Sequence, residues 1–107
     1  MDKTDKIREL NDEFRKQLPM YGILLTSGVN AREDRHEIVE QVRSFNQFNE
    51  DNDPYGEHDF GSFVLNDGQK IFWKMDYYDK SLNMHSPNPT DPQITRRILT
   101  IMLSEEY

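Results

Sequence analysis

The first stretch of the chain repeats apolar residues with the spacing of an α-helix. Thr4 or Asp2 can serve as its N-cap, and Pro19 closes it. The apolar positions are Ile7, Leu10, Phe14 and Leu18. This pattern predicts a first helix over residues 4–17.

A second helical period follows Asn30, which can act as an N-cap, while Glu33 three residues later matches a capping box. The apolar positions that share one helix face are Ile38, Val39, Val42 and Phe45. The spacing predicts a second helix over residues 31–45.

Strand signals occur in two regions. The apolar run Ile23–Leu25 is too short for a helix, and the glycine and serine residues around it favour a buried strand over residues 21–27. Further along, two β-prone runs flank Asp67 and Gly68, a pair favoured in a two-residue type I′ turn. They predict a hairpin with strands over residues 59–65 and 70–77.

The last segment begins with Asp91 and Pro92, which suit an N-cap and the first position of a helix. The apolar residues that follow with helical spacing are Ile94, Ile98, Ile101 and Met102. We therefore expect a third helix and the element order αβαββα. The fold class is then α+β, a single domain over residues 1–107 whose three-stranded sheet ends in a β-hairpin and is covered by helices.

A two-residue turn would fix the register of the hairpin, because opposing residue numbers would then sum to 135. One face would collect the apolar residues Phe60, Val64, Ile71, Trp73, Met75 and Tyr77. The other face would be half polar, with Lys74 diagonal to Asp59 and Asp76 directly opposite it. Like charges that face each other weaken a strand pair by about 0.2–1 kcal/mol, so this pair requires a compensating partner.

The stretch DNDPYGEHDFG, Asp51–Gly61, precedes the hairpin and contains four acidic residues but no Lys or Arg. Together with the half-polar hairpin face, it is the predicted recognition surface. The candidate binding residues are Asp51, Asp53, Tyr55, Glu57, His58, Asp59, Lys74, Asp76 and Tyr78.

Composition narrows the class of function. The formal charge of −7 disfavours a general nucleic-acid binder and suits a basic protein partner. There is no apolar run of the ~18 residues that a membrane span needs, and no secretory pattern at the start, so we expect a cytoplasmic protein without membrane contact. The chain has no Cys, which excludes a disulfide framework and a thiolate nucleophile.

Motifs for catalysis or metal binding have little support. On the calcium-loop pattern, Tyr55 and Ser62 occupy ligand positions that require oxygen-rich side chains. The His residues lie in separate segments, and no GxSxG, P-loop or GxGxxG motif occurs. We assign no catalytic residue, metal or cofactor. A carboxylate- or metal-dependent enzyme that uses Asp59 and Asp76 is the alternative hypothesis.

The segments DNDPYGEHDFGSF, FWKMDYYD and DPQITRRILTIMLSEEY resemble a family of small proteins from bacteria, plasmids and phages that is known only as a domain of unknown function. The resemblance extends to IRELNDEFR and LLTSGV, and implies a genomic setting but no activity. Small acidic proteins of mobile elements sometimes inhibit host proteins. The sequence therefore favours a non-enzymatic binding or inhibitory module that acts on a protein partner.

Overall fold

The computed structural model describes residues 2–107. Its helices are α1 (Lys3–Gln17), α2 (Ser27–Asn30) and α3 (Arg35–Arg43), and its strands are β1 (Ile23–Leu25), β2 (Phe60–Val64), β3 (Lys70–Tyr78) and β4 (Arg96–Leu103). A short 3-10 helix, Ser104–Glu106, follows β4. The result is a small α+β domain with a mixed sheet.

Helix α1 begins and ends at local signals in the sequence. The Asp2 carboxylate accepts a hydrogen bond from the backbone N–H of Asp5 at 2.9 Å, as an N-cap does. At the other end Leu18 adopts a left-handed conformation and its N–H bonds the Phe14 carbonyl. The predicted bounds of this helix are confirmed to within one residue.

The four strands lie in the order β1-β4-β3-β2, with β1 parallel to β4 and the other pairs antiparallel. The odd-numbered residues of β3, Ile71 to Tyr77, are buried in the main core. Ile7, Val29, Ile38 and Val42 of the helices pack in the same core. The helices thus supply the core on one side of the sheet.

The predicted third helix is wrong, because Arg96–Leu103 forms β4, one of the two inner strands of the sheet. Asp91 accepts a hydrogen bond from the N–H of Gln93 in a local turn instead of capping a helix. The segment is rich in β-branched residues, and β4 pairs with β1 on one side and β3 on the other. Burial along β4 mostly alternates, with Arg97, Leu99 and Ile101 buried, as in a strand with one face on the core, so the helical spacing within it is incidental. The sheet therefore has four strands, not three.

The second predicted helix is present but shorter. Asn30 is the last residue of α2, and α3 does not start until Arg35. The expected capping box at Asn30 is therefore wrong.

The hairpin forms, but its turn has three residues. The N–H of Leu65 bonds the carbonyl of Gln69 at 2.8 Å, and Gly68 has a positive φ of 90°. Such a loop, a tight turn followed by a left-handed glycine, is the next most common hairpin connection after the two-residue turns. Opposing residue numbers consequently sum to 134: Gly61 lies opposite Trp73 and Phe60 opposite Lys74.

This one-residue difference exchanges the two faces of β2. The core face of β3 is as predicted, but on β2 the residues on that side are Gly61 and Phe63, whereas Phe60 and Val64 lie on the other side. Asp59 also changes position: its carbonyl bonds the N–H of Met75, so Asp59 is not the cross-strand partner of Asp76. The expected facing pair of Asp59 and Asp76 is therefore wrong.

Candidate functional site

A buried polar network joins α1 to residues 51–61, which we call the acidic loop. Asn11 is fully buried, and its amide nitrogen donates to the Glu57 carbonyl at 3.0 Å and to the Tyr77 hydroxyl oxygen at 2.7 Å. The Tyr77 hydroxyl donates to the Glu57 carboxylate, and Nε of Arg97 donates to the Asn11 amide oxygen at 2.7 Å. Every side chain in this network has a polar partner, as burial requires.

Arg15 forms a second buried connection, from α1 to the end of α3. Its side chain is almost wholly buried, and Nη1 donates to three backbone carbonyls, those of Val42, Arg43 and Phe45, at 3.0–3.1 Å. Val42 and Arg43 are the last residues of α3 and Phe45 follows two residues after it, so Arg15 supplies additional donors at the helix C-terminus. The guanidinium also lies 5.2 Å from the Trp73 ring centroid. Arg15 therefore caps α3 and packs in the core.

His58 lies between two carboxylates. Its Nδ1 is 2.8 Å from an Asp12 oxygen and its Nε2 is 3.6 Å from Asp53, whose carboxylate also accepts the His58 backbone N–H at 3.0 Å. The ring stacks on Phe48 with centroids 3.7 Å apart. The backbone of His58 has a φ of 55°, and these contacts hold it in that left-handed conformation.

Packing around Glu57 and Asp59, in the inner part of the acidic loop, shifts the pKa values of nearby ionisable groups. The pKa of the Asp59 carboxyl is raised, first by burial and then by the negative charge of Glu57. Burial also raises the pKa of the Tyr77 hydroxyl and lowers the pKa of the Arg97 guanidinium. These shifts follow from packing at the junction between loop and helix.

Only part of the acidic loop faces solvent. Asp51 is exposed and Tyr55 is 79% exposed. Asp53, Glu57 and His58 are instead committed to contacts with α1 and β3 or with each other. The carboxylates of Asp53 and Glu57 therefore hold the acidic loop in place and are not free to bind a partner.

The side of the sheet that faces away from the core is more exposed to solvent. We call it the helix-free face, and it consists of the even-numbered residues of β2, β3 and β4 together with Leu24. Except for Met102, these side chains are at least partly exposed, and Leu24 and Val64 are 53% and 62% exposed. Phe60 and Phe72 contact each other and the ring of Tyr107. A partly exposed aromatic group on a broad surface is typical of an interaction site.

The helix-free face has a charge pattern unlike that of the whole chain. Lys74 and Asp76 form an ion pair of 3.0 Å, which raises the pKa of the Lys74 ammonium. Lys70 lies over the Phe72 ring at 5.3 Å, and Arg96 is exposed. Three cationic side chains thus accompany one carboxylate here, on a chain with a formal charge of −7.

The nine candidate residues fall into separate groups. Asp53, Glu57, His58 and the partly buried Asp59 lie in or beside the packed junction, whereas Lys74, Asp76 and Tyr78 lie on the helix-free face. Asp51 and Tyr55 are on the exposed part of the loop. Within residues 2–107, no three His, Asp or Glu side chains are grouped so that they could hold a metal ion.

Sequence reasoning missed Asn11, Asp12 and Arg15, the α1 residues that hold the loop and α3. A signal was present, since Asn11 and Arg15 follow Ile7 at intervals of four and continue its buried stripe. Polar residues at apolar positions of a helix indicate buried hydrogen bonds.

Along residues 2–107 the helices are too short and too polar to span a membrane.

Comparison with known proteins identifies a family but no activity. The sequence model of the family described as "Protein of unknown function (DUF3768)" matches residues 25–106, so the chain belongs to this family. No curated protein and no solved structure matches the chain. The match covers the acidic loop and strands β2, β3 and β4, and it begins at the last residue of β1.

Proposed function

We propose that the protein is a non-enzymatic binding module that acts in the cytoplasm and holds, and thereby inhibits, a protein partner on the helix-free face. The observation that carries this proposal is the partly exposed aromatic group of Phe60 and Phe72 on the side of the sheet opposite the core. Aromatic residues with apolar neighbours provide most of the binding energy in many protein interfaces.

The charges on the helix-free face indicate what kind of partner surface would complement it. Lys70 and Arg96 flank the apolar centre, whereas Lys74 is already paired with Asp76. A partner with an apolar patch and carboxylates at its rim would complement this arrangement. A basic partner, which the sequence favoured, would instead bind Asp51 and its acidic neighbours on the loop. A nucleic-acid strand is disfavoured, because the overall charge of −7 repels phosphates.

The partner can be found with a photo-crosslinking amino acid placed at position 72 on the helix-free face. The same group at position 36, an exposed site on α3, is the matched control. We expect position 72 to capture one protein that position 36 does not. Equal capture from both positions would contradict the proposal.

The captured protein is then purified and titrated calorimetrically against variants. Lys70→Glu should weaken binding at least about tenfold, or ~1.4 kcal/mol, because it places a negative charge against the carboxylates of the partner. Lys80→Glu, an equally exposed change beyond β3, should have an effect of less than about twofold. If Asp51→Lys abolishes binding and Lys70→Glu does not, the loop is the binding surface and the proposal for the sheet is wrong.

A further inference from the structure

The outer edge of β2 has unused hydrogen-bonding groups. The N–H of Leu65 bonds Gln69 and the carbonyl of Asp59 bonds Met75, so the odd-numbered residues of this strand face β3. The backbone groups of Phe60, Ser62 and Val64 consequently point away from the sheet. Within residues 2–107 these groups have no hydrogen-bond partner.

The edge also lacks two features by which proteins prevent pairing with another strand, charged residues and proline. Phe60–Val64 contains no charged residue and no proline, and Val64 is 62% exposed. The opposite edge of the sheet is β1, which has only three residues. Strand β2 is therefore the edge that can accept a further strand.

We propose that two copies of this chain associate by antiparallel pairing of their β2 strands, with a two-fold axis at Ser62. Ser62 would face Ser62 of the second copy, and Phe60 would face Val64 in both directions. Each of the three pairs forms two backbone hydrogen bonds, so the interface contains six. The two four-stranded sheets would become one sheet of eight strands. This inference does not depend on the proposed function.

The side chains of β2 are complementary to themselves in this register. Phe60 would cover the exposed Val64 of the other copy, an aromatic and β-branched pair that favours strand pairing. On the helix side, Phe63 would lie opposite Gly61. Gly61 has no room for a side chain of its own, because an added Cβ would collide with the Trp73 and Phe45 rings.

Asp59 is the one charged residue in residues 59–65, and it would face the apolar Leu65 of the second copy, so no like charges of the paired strands meet directly. Beyond the strands, the same register places Glu57 opposite Asp67 of the second copy, whose carboxylate is paired with Arg32. Each chain nevertheless carries −7, and the mutual repulsion weakens as salt shortens the screening length. Association should therefore strengthen as ionic strength rises.

A disulfide tests the position of the axis, because the chain contains no Cys. Opposing residues in a hydrogen-bonded antiparallel pair have Cα atoms about 5.5 Å apart, within the range that a disulfide spans. Under mild oxidation Ser62→Cys should become a disulfide-linked dimer in more than half of the molecules. Leu24→Cys, at the more exposed β1 edge, should remain mostly monomeric. Equal crosslinking of both variants would overturn the proposal.

Sedimentation velocity of the full chain over a concentration series tests association without crosslinking. The unmodified chain should form dimers, and Ser62→Pro should weaken dimerisation at least tenfold, because proline removes an outward N–H that the monomer does not use. Val64→Lys serves the same purpose if the proline variant does not fold. Leu24→Lys should leave the dimer intact. A monomer at every concentration, or a dimer that persists in both folded β2 variants, would show that β2 does not pair.

Discussion

The junction between loop and helix and the helix-free face use the same residue types for opposite purposes. At the junction, Asp53, Glu57 and His58 have hydrogen-bond partners within the chain. On the helix-free face, Lys74 and Asp76 bond each other and remain partly exposed. The comparison teaches that acidic and aromatic residues near a loop do not by themselves indicate a binding surface. Whether such a residue is available to a partner depends on its burial and on its hydrogen-bond partners within the chain.

Substitutions in the two regions should also differ in their effect on the free energy of unfolding. A buried group that loses its partner costs about 1–3 kcal/mol for a neutral group and more for a charged one. An exposed ion pair contributes about 0–1 kcal/mol. Substitutions at the junction should therefore destabilise the fold, whereas those on the helix-free face should affect binding.

The largest effect is expected for Arg15→Met. The substitution removes three hydrogen bonds to carbonyls at and just after the end of α3 and the ion pair with Asp12, so we expect stability to fall by about 3 kcal/mol. Lys16→Met is the matched control on the exposed side of the same helix and should change stability by less than about 0.5 kcal/mol. Urea denaturation measures both. Similar midpoints for the two variants would mean that the Arg15 contacts contribute little.

A smaller difference should separate two acids of the loop. Asp53→Ala should cost about 1–2 kcal/mol, because the N–H of His58 and its left-handed backbone lose their acceptor. Asp51→Ala should be nearly neutral, since the Asp51 side chain is exposed. Thermal melts of both variants provide the test. If Asp51→Ala destabilises as much as Asp53→Ala, the exposed part of the loop is structural too.

The smallest effect is expected for Asp59→Asn, and it should depend on pH. Because the pKa of Asp59 is raised above its ordinary 3.8 by burial and by Glu57, the folded chain binds a proton here more tightly than the unfolded chain does. Stability at this site is therefore lost as pH rises from the ordinary value through the folded pKa. Asparagine cannot ionise and avoids that loss.

Asp59→Asn should therefore be more stable than the unmodified chain at about pH 7, and the difference should shrink at about pH 3. Chemical denaturation of both proteins at the two pH values measures it. A variant that is less stable at neutral pH would mean that the charged carboxylate is stabilised by its surroundings.

Several elements could be predicted because their signals are local. Capping and apolar spacing located α1, and the strict alternation of β3 identified the buried side of Trp73 correctly. The Asp67-Gly68 pair located the hairpin, but it is compatible with both a two-residue and a three-residue turn. That ambiguity of one residue placed Asp59 opposite Asp76, so the candidate site inherited an error in turn geometry.

The sequence by itself determined the α+β class, the first helix, the hairpin and the buried side of β3, because side-chain periodicity and caps act within a few residues. Only the tertiary structure decided that residues 96–103 form a strand, since hydrogen bonds to β1 and β3 outweigh the local helical spacing. It also decided that Asp53, Glu57 and His58 point inward. His58 bonds Asp12 and Glu57 bonds Tyr77, and residues so distant in sequence meet only when the chain folds.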